Sequence, residues 1–515
     1  MSSFLTLLFF KPQEDNPVET YYIDPAGNDT TGDGSIGNPW KTLYKATNTV
    51  NSAGAVIHIN PGTYIETLTS TLAPEVSIEG EGDTSIIKSS FSVMYQQILE
   101  IISPEGTNGN QHISNLKFDG QGSTSWAIQI QGRSNFEIHD CTIVDFAQRG
   151  VVWGGREDNS DNPPLVYATG NKFYNNIVTD CADFDGTYGY GCLNIGGQDG
   201  MLIYGNTITT SGTTPGWPIK LWNDGHVKGC KIYNNTLSRP PFPYQVNGEN
   251  NYFDFAIELF NQQGIEIYGN TIEGSIDLNY QTKGSYPYSA YIHDNIIGRD
   301  SAAAHCETGI WLEFDSEYLT IENNTFKNCS QPIMFSLRPT NFMNYITIQK
   351  NLCYGIGKTD GTKQGAAIGI IVNDDSTNYS ANVWNIYNNT FIAITGANSP
   401  FYGISIPGGN SSTNVKINNN IVENFDYLNM NCDYGGHVDG LEIRNNVQYN
   451  NGSGNAVNFD NGSPSNYTNS GNINLDPLLD VSYHPTVPTS PCINAGINVG
   501  LPYNGAAPDI GYYET

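Results

Sequence analysis

Short apolar runs alternate with polar residues along the whole chain, and one phrase recurs: an Ile, two variable residues, an Asn and a further apolar pair. It stands at Ile203–Asn206, Ile232–Asn235, Ile267–Asn270, Ile292–Asn295, Ile321–Asn324, Ile348–Asn351, Ile386–Asn389, Ile417–Asn420 and Ile443–Asn446, with weaker copies ending at Asn115, Cys141 and Asn171. Successive copies lie 25 to 38 residues apart. That variable period excludes a strict helical repeat and fits coils whose loops differ in length. In a parallel coil each strand stacks on its equivalent about 4.8 Å away. An Asn at the same corner of every coil then forms a row of amide hydrogen bonds, and Asn tolerates the left-handed backbone of a tight corner. The pattern predicts an all-β fold, a single-stranded right-handed parallel β-helix of about 12 coils. Asn234, Asn323 and Asn388 begin glycosylation sequons, but the corner row explains them better.

A chain of 515 residues would ordinarily divide into several domains. A solenoid lengthens by adding coils, so the repeats override that prior. Gly at 55 residues, with 14% charged and 12% aromatic residues, describes a turn-rich β chain. Lys and Arg total 22 against 51 Asp and Glu, a net charge of −29 that excludes nucleic acid as a partner. The same field suits a neutral glycan better than an anionic one, unless Ca²⁺ or a basic patch offsets it. Nine Cys with no CxxC pair read as buried thiols. No segment is long and apolar enough to span a bilayer.

Both ends differ from the repeat. Tyr21-Tyr22-Ile23-Asp24-Pro25, Gly27-Asn28-Asp29, Asn38-Pro39-Trp40-Lys41-Thr42-Leu43 with a short amphipathic helix to about Val50, then Ile57-His58-Ile59-Asn60-Pro61-Gly62-Thr63-Tyr64, resemble the entry module of the pectate-lyase-like β-helix superfamily. Asp476-Pro477-Leu478, Ser490–Gly496 and Asp509–Glu514 are similar to the terminal segment of its bacterial members. The resemblance implies a β-helix with an N-terminal cap helix and a C-terminal cap. It also implies a polysaccharide as ligand, held along the outer face of one parallel sheet. The division expected is an apolar attachment segment at 1–19, the capped β-helix at 20–480 and a C-terminal cap at 481–515.

Taking Ile or Leu as the inward residue, the strands before the corner align as Leu193–Gly196, Ile219–Trp222, Ile257–Phe260, Ile276–Asn279, Ile310–Glu313, Ile333–Ser336 and Ile404–Pro407. Alternation gives two outward columns. One reads Asn194, Lys220, Glu258, Asp277, Trp311, Met334; its neighbour reads Gly196, Trp222, Phe260, Asn279, Glu313, Ser336. Trp222, Phe260 and Trp311 offer flat faces on which sugar rings pack, with Asn194 and Asn279 as polar contacts. Glu258 and Asp277 fall side by side, close enough to raise one carboxyl pKa toward general-acid use. Glu313, roughly 8 Å from Asp277 by sheet spacings, leaves room for the water of an inverting glycosidase. Lys220 abuts Glu258. Asp254 and Glu307, read as outward-facing below these strands, are the candidate Ca²⁺ ligands. His226 and His305 stand in nearby loops, and Arg338 in a salt-bridge column with Asp315 and Asp224.

A hydrolase needs two carboxylates and aromatic subsites, which these columns supply. A lyase of the alginate or pectate type would need a basic residue and cations, for which Lys220 alone is thin provision. A phage tailspike-like appendage, on the virion surface or otherwise extracellular, is the expected setting. The run Phe4–Phe10 lacks the basic flank of a secretion signal and would dock on a homotrimer or virion partner. The alternative is a structural adhesin or decoration protein that binds glycan without turnover. The hydrolase and adhesin readings require no cofactor, and Ca²⁺ is a candidate one.

Overall fold

The computed structural model describes residues 18–91, 94–158, 160–182, 189–211, 216–240, 243–246, 249–252, 254–300, 306–357, 365–372, 379–396, 400, 402–426, 428–432, 435–452 and 457–515. The attachment segment therefore lies outside the described residues except for Val18 and Glu19, and so does His305.

Three parallel ladders run along the chain, one strand of each per coil. The corner sheet contains Lys172–Tyr174, Leu202–Tyr204, Lys231–Tyr233 and Ile265–Tyr268 in register. A second sheet follows the corner through Ile177–Thr179, Thr207–Thr209, Thr236–Ser238 and Thr271–Glu273. The third, the site sheet, stacks Gly191–Ile195, Trp217–Leu221, Phe255–Phe260, Ser275–Gln281, Cys306–Glu322 and Cys329–Leu337. The next strand, Ala366–Val372, separates Cys329–Leu337 from Tyr402–Ser405, a coil that the Ile-based alignment passes over. The core is one continuous column of inward Ile, Leu, Val and Phe, nearly all inaccessible to solvent. The chain is thus a right-handed parallel β-helix.

At the corner, each amide nitrogen donates to the Oδ1 of the next coil's Asn. The distances are 3.1 Å from Asn176 to Asn206, 2.9 Å from Asn206 to Asn235, 3.0 Å from Asn235 to Asn270 and 2.9 Å from Asn270 to Asn295. The row continues through Asn324, Asn351, Asn389, Asn420 and Asn446 to Asn472. Two details differ from the sequence reading. The row enters at Asn176, while Asn171 bonds Gln198 and Arg133 at another bend. And the left-handed residue is the one before each row member: Asn175, Asn234, Asp294, Asn323 and Asn388 all have φ between 51° and 55°. The short polar side chains that begin the sequons therefore turn the corner, and the residues after them bond along it.

The N-terminal strand Thr20–Ile23 pairs with Val56–Ile59. The helix is shorter than expected, Leu43–Thr47, with Thr42 as N-cap. The buried Glu66 carboxylate accepts from the Leu43 and Tyr44 amides at 2.8 and 3.1 Å, where a negative charge suits the helix start. The C-terminal segment runs back along the flank of the last coils. Cys492 and Ile510 pack on Ile421 and Val447, and the Asn388, Asn419 and Asn445 amides donate to the carbonyls of Asp509, Ile497 and Ala495. All nine cysteines are free and buried. No described helix is long and apolar enough to cross a membrane.

Candidate functional site

The site-sheet register is the one the alternation implies: Asn194 beside Lys220, Lys220 beside Glu258, Glu258 beside Asp277, Asp277 beside Trp311 and Trp311 beside Met334. The second column runs Phe260, Asn279, Glu313, Ser336, Ile371. Outward does not mean solvated here. Asp277 is 2% exposed and Asn279 fully buried, so the columns form a sheltered polar track.

Burial and partners set the charges on that track. The Lys220 ammonium lies against the Glu258 carboxylate and 4.2 Å from the centre of the Trp217 ring. Burial, reinforced by Arg149 and Arg239, brings Lys220 down to about 7, with Asp277 pulling the other way. Glu258, adjacent to Asp277 in register, is thus engaged by Lys220. Burial first, and then the Glu313 charge, raise the Asp277 carboxyl well above the usual range, although the Asn279 amide donates to both its oxygens at 3.4 and 3.2 Å. Burial raises Glu313 as well, against the pull of Trp311 and Arg338. Since Glu313 pairs with Asn279 and Asp277 with Trp311, the two residues stand diagonally on adjacent strands, their Cα atoms roughly 8 Å apart by sheet spacings. A protonated acid and a second carboxyl on one track can protonate a leaving group and activate a water.

Other candidates fall elsewhere. Asp254 does not open to solvent: it is 1% exposed, and its oxygens accept from Ser275 Oγ at 3.0 Å, Cys306 Sγ at 3.0 Å and Arg299 Nη2 at 3.3 Å. Arg299 supplies the compensating cation that Ca²⁺ would have provided. Glu307 lines a different cleft, with Trp311. Among the described residues no group of three His, Cys, Asp or Glu could hold a metal ion. Asn194 is buried and donates to the Leu221 carbonyl. His226 bonds the Asp161 carbonyl. Arg338 stacks over the Phe314 ring at 5.1 Å, and Asp315 accepts from Asn341 and the Phe342 amide in place of the expected salt bridge.

Trp222 turns toward the N-terminal coils. It packs edge-to-face on Trp126 at 5.7 Å and joins it and Val152 in a small cluster apart from the core. The Arg149 guanidinium sits 4.8 Å from the Trp126 ring, 4.6 Å from Tyr190 and 5.0 Å from Trp222. The two Trp rings wall a cleft of about 390 Å³ that Gln97, Gln129 and Glu100 also line. The sequence reading missed Trp126 and Arg149 because each stands two residues before an inward Ile128 or Val151, where strict alternation would bury it. A second cleft of about 400 Å³ opens past the carboxyl pair, around Trp311, Met334, Gly369, Ile370, Ile371 and Tyr402. Phe260, half-buried, lies between the two.

Also missed were Tyr280 and Phe314, which directly follow Asn279 and Glu313. Their rings stack at 4.4 Å, and both residues have left-handed backbone, φ 54° and 61°. A bulky aromatic is strained there. No periodicity signals it, because Asn223 and Asn261 take the same conformation at their own strand ends.

A family model described as "right handed beta helix region" matches residues 165–364. No curated protein matches the sequence. Among solved structures, the Agl-KA catalytic domain is similar over 77% of this chain and 64% of its own, at 14% identity and a TM-score of 0.50. The catalytic unit of a GH87 alpha-1,3-glucanase from Streptomyces thermodiastaticus strain HF3-3 gives 16% identity, 76% and 66% coverage and a TM-score of 0.49. The Dettilon tailspike protein gives 14%, 82% and 68%, and 0.45. The chain spans just under two thirds of the first two, at 64% and 66% of their lengths. At 14% identity the likeness to the Agl-KA catalytic domain shows the fold alone.

Proposed function

We propose that this β-helix binds a polysaccharide along its site sheet and hydrolyses it, with Asp277 as the general acid and Glu313 as the base that activates water. The observation that carries the reading is the pair itself: two carboxyls, both raised by burial, on adjacent strands two positions apart in register, an offset compatible with the acid and base of an inverting glycosidase. Asn279 orients Asp277. Glu258 and Lys220 form the adjoining ion pair, and the two aromatic clefts flank the group along the same columns. The Agl-KA catalytic domain has the same fold, which speaks for the scaffold only; the reaction is argued from the site.

One observation favours a second reading. Lys220, brought down to about 7, has the basicity a lyase would use to abstract a proton beside a uronate carboxylate. Incubating the protein with a panel of neutral and uronate-containing polysaccharides separates the two. Saturated reducing ends that disappear in Asp277→Asn support hydrolysis. Products with ultraviolet absorbance, lost in Lys220→Met, support elimination. Binding without turnover on any glycan leaves the adhesin.

An extracellular or virion-surface setting, with residues 1–19 docking on a trimer or appendage partner, belongs to this proposal through the apolar run Phe4–Phe10. Deleting 1–19 should leave a soluble, glycan-binding β-helix that no longer joins its assembly. Unfolding of the truncated chain would overturn that attachment role.

A further inference from the structure

The cleft beyond the carboxyl pair differs in chemistry from the cleft before it. Walking down the columns from Glu313, the next outward residues are Ser336 and then Ile371; from Trp311 they are Met334 and Gly369. Two coil steps, roughly 10 Å, thus take the track from ionisable groups to an apolar floor. Gly369 keeps that floor open: a Cβ there would meet Met334 Cε at 2.6 Å. Met334 is 1% exposed and closes the bottom, while Ile371 remains 45% exposed on the wall, with no packing role in the core. Trp311 and Tyr402 flank it, and the carboxyl of Glu307 with the polar groups Gln331, Ser405 and Asn431 lines the rest of the cleft. The cleft before the pair is instead dominated by amides and charges, Gln97, Gln129, Gln131, Glu100 and Arg149 around Trp126 and Trp222, with Ile102 as its one exposed aliphatic side chain.

Resting on the reading of this face as a glycan track, we propose that the cleft past Glu313 is a subsite for a sugar carrying a methyl group, either a 6-deoxyhexose or an acetylated hexose. The polymer is then a heteropolysaccharide whose repeat sets that unit next to the bond facing the carboxyl pair. The physical reason is desolvation. A hydroxymethyl group laid against Met334, Ile370 and Ile371 would lose its water without gaining a partner. A methyl group at the same place fills the floor that Gly369 leaves open, and the ring's C–H face packs on Trp311. The amide-lined cleft before the pair takes a hydroxyl-rich unit, so the chain has one reading direction across the site.

The test is binding, kept separate from cleavage. Full-length protein is titrated with matched oligosaccharides that differ only at the methyl: rhamnosyl against mannosyl of the same enantiomeric series, and N-acetylglucosaminyl against N-glycolylglucosaminyl. The methyl-bearing member of at least one pair should bind on the order of ten-fold more tightly, and which pair shows the preference distinguishes the deoxy from the acetyl source. Ile371→Ser should erase the preference, weakening the methyl-bearing member relative to the hydroxyl-bearing one. Equal affinity within both pairs, no binding of either methyl-bearing probe, or a preference that survives in Ile371→Ser would overturn the subsite. Loss of cleavage in Asp277→Asn is read independently on polymer, so the catalytic reading can fail while the methyl preference stands.

Discussion

Two sheets of the same helix obey one geometry and use it differently. On the corner sheet the outward column reads His139, Tyr174, Tyr204, Tyr233, Tyr268, His293, and successive rings stack at 4.7 to 5.0 Å. On the site sheet the column changes chemistry at nearly every coil: Val152, Asn194, Lys220, Glu258, Asp277, Trp311, Met334. Repetition lets identical side chains stack in register, so a repeating column stabilises the fold. A column that stops repeating gives up that stacking and buries charges that then need particular partners, as Lys220 has Glu258. In a solenoid, loss of repetition in an outward column is therefore a signal of chemistry readable within a single chain.

The sharpest way to break this contrast is at Asp277. Asp277→Asn should lower turnover by about 10²–10⁴-fold, the range for losing a general acid, measured as reducing ends released. The fold should not suffer. A carboxyl whose folded pKa is raised stabilises the fold below its unfolded value, and that contribution is lost as pH rises through the folded value. Above that point wild-type Asp277 is a buried charge, so the Asn variant should melt higher than wild type at neutral and alkaline pH. An Asn variant with full turnover, or one melting lower at pH 8, would show that Asp277 is structural. The pH–rate profile carries the same sign: hydrolysis with Asp277 as acid falls as pH rises, whereas elimination by Lys220 rises through about 7.

The repeating column should respond in the opposite way. Asn270 donates to the carbonyls of Ile232 and Tyr268 and to Asn295, and accepts from the Asn235 backbone and amide. Asn270→Leu strands several buried partners, at about 1–3 kcal/mol for each one left unsatisfied. The melting temperature should drop by many degrees while residual folded protein keeps its glycan affinity. An unchanged melting temperature would mean that the row adds nothing beyond the inward Ile column.

The aromatics of the two clefts give a smaller effect. Trp311→Ala should weaken glycan binding by about 1–3 kcal/mol with little change in stability, since Trp311 is only half-buried. Trp222→Ala should cost affinity and stability together, because its ring is buried against Trp126 and the Arg149 guanidinium. Titration and thermal melts of both variants, side by side, check the difference. Equal stability losses would mean that both rings belong to the core.

Coil stacking and register were legible in the sequence because they depend on period and alternation: one inward Ile per strand fixes which neighbour is outward, and Glu258 falls beside Asp277 as the columns require. Pairing of charges was not legible. Which carboxyl engages Lys220, and which raises Asp277 by its charge, depends on side-chain reach and burial over a few ångströms. Period alone assigns Glu258 and Glu313 equally well. Asp254 illustrates the same limit, since Arg299 is 45 residues away in sequence and within 3.3 Å in space. Strand entries and exits escaped for a further reason: alternation ends where the backbone bends, at Trp126, Arg149, Tyr280 and Phe314.

That last pair offers the finest test. Tyr280 adopts φ 54° at the position where Asn261, one coil earlier, has φ 56°. Asn is at ease in this conformation and a bulky aromatic is not. If the site sheet departs from repetition for the sake of binding, the strain at Tyr280 is held for its ring, which is 41% exposed and stacked on Phe314 beside the carboxyl track. Tyr280→Asn should therefore stabilise the fold by up to about 1 kcal/mol by relieving the left-handed backbone, less whatever the lost stacking with Phe314 takes back. The same variant should weaken glycan binding by a comparable amount. Denaturant melts and titration read the two effects in opposite directions. A variant that is less stable and binds equally well would make Tyr280 another stacked rung like Tyr204, and the line between the two sheets would have to be drawn before Asn279 instead of after it.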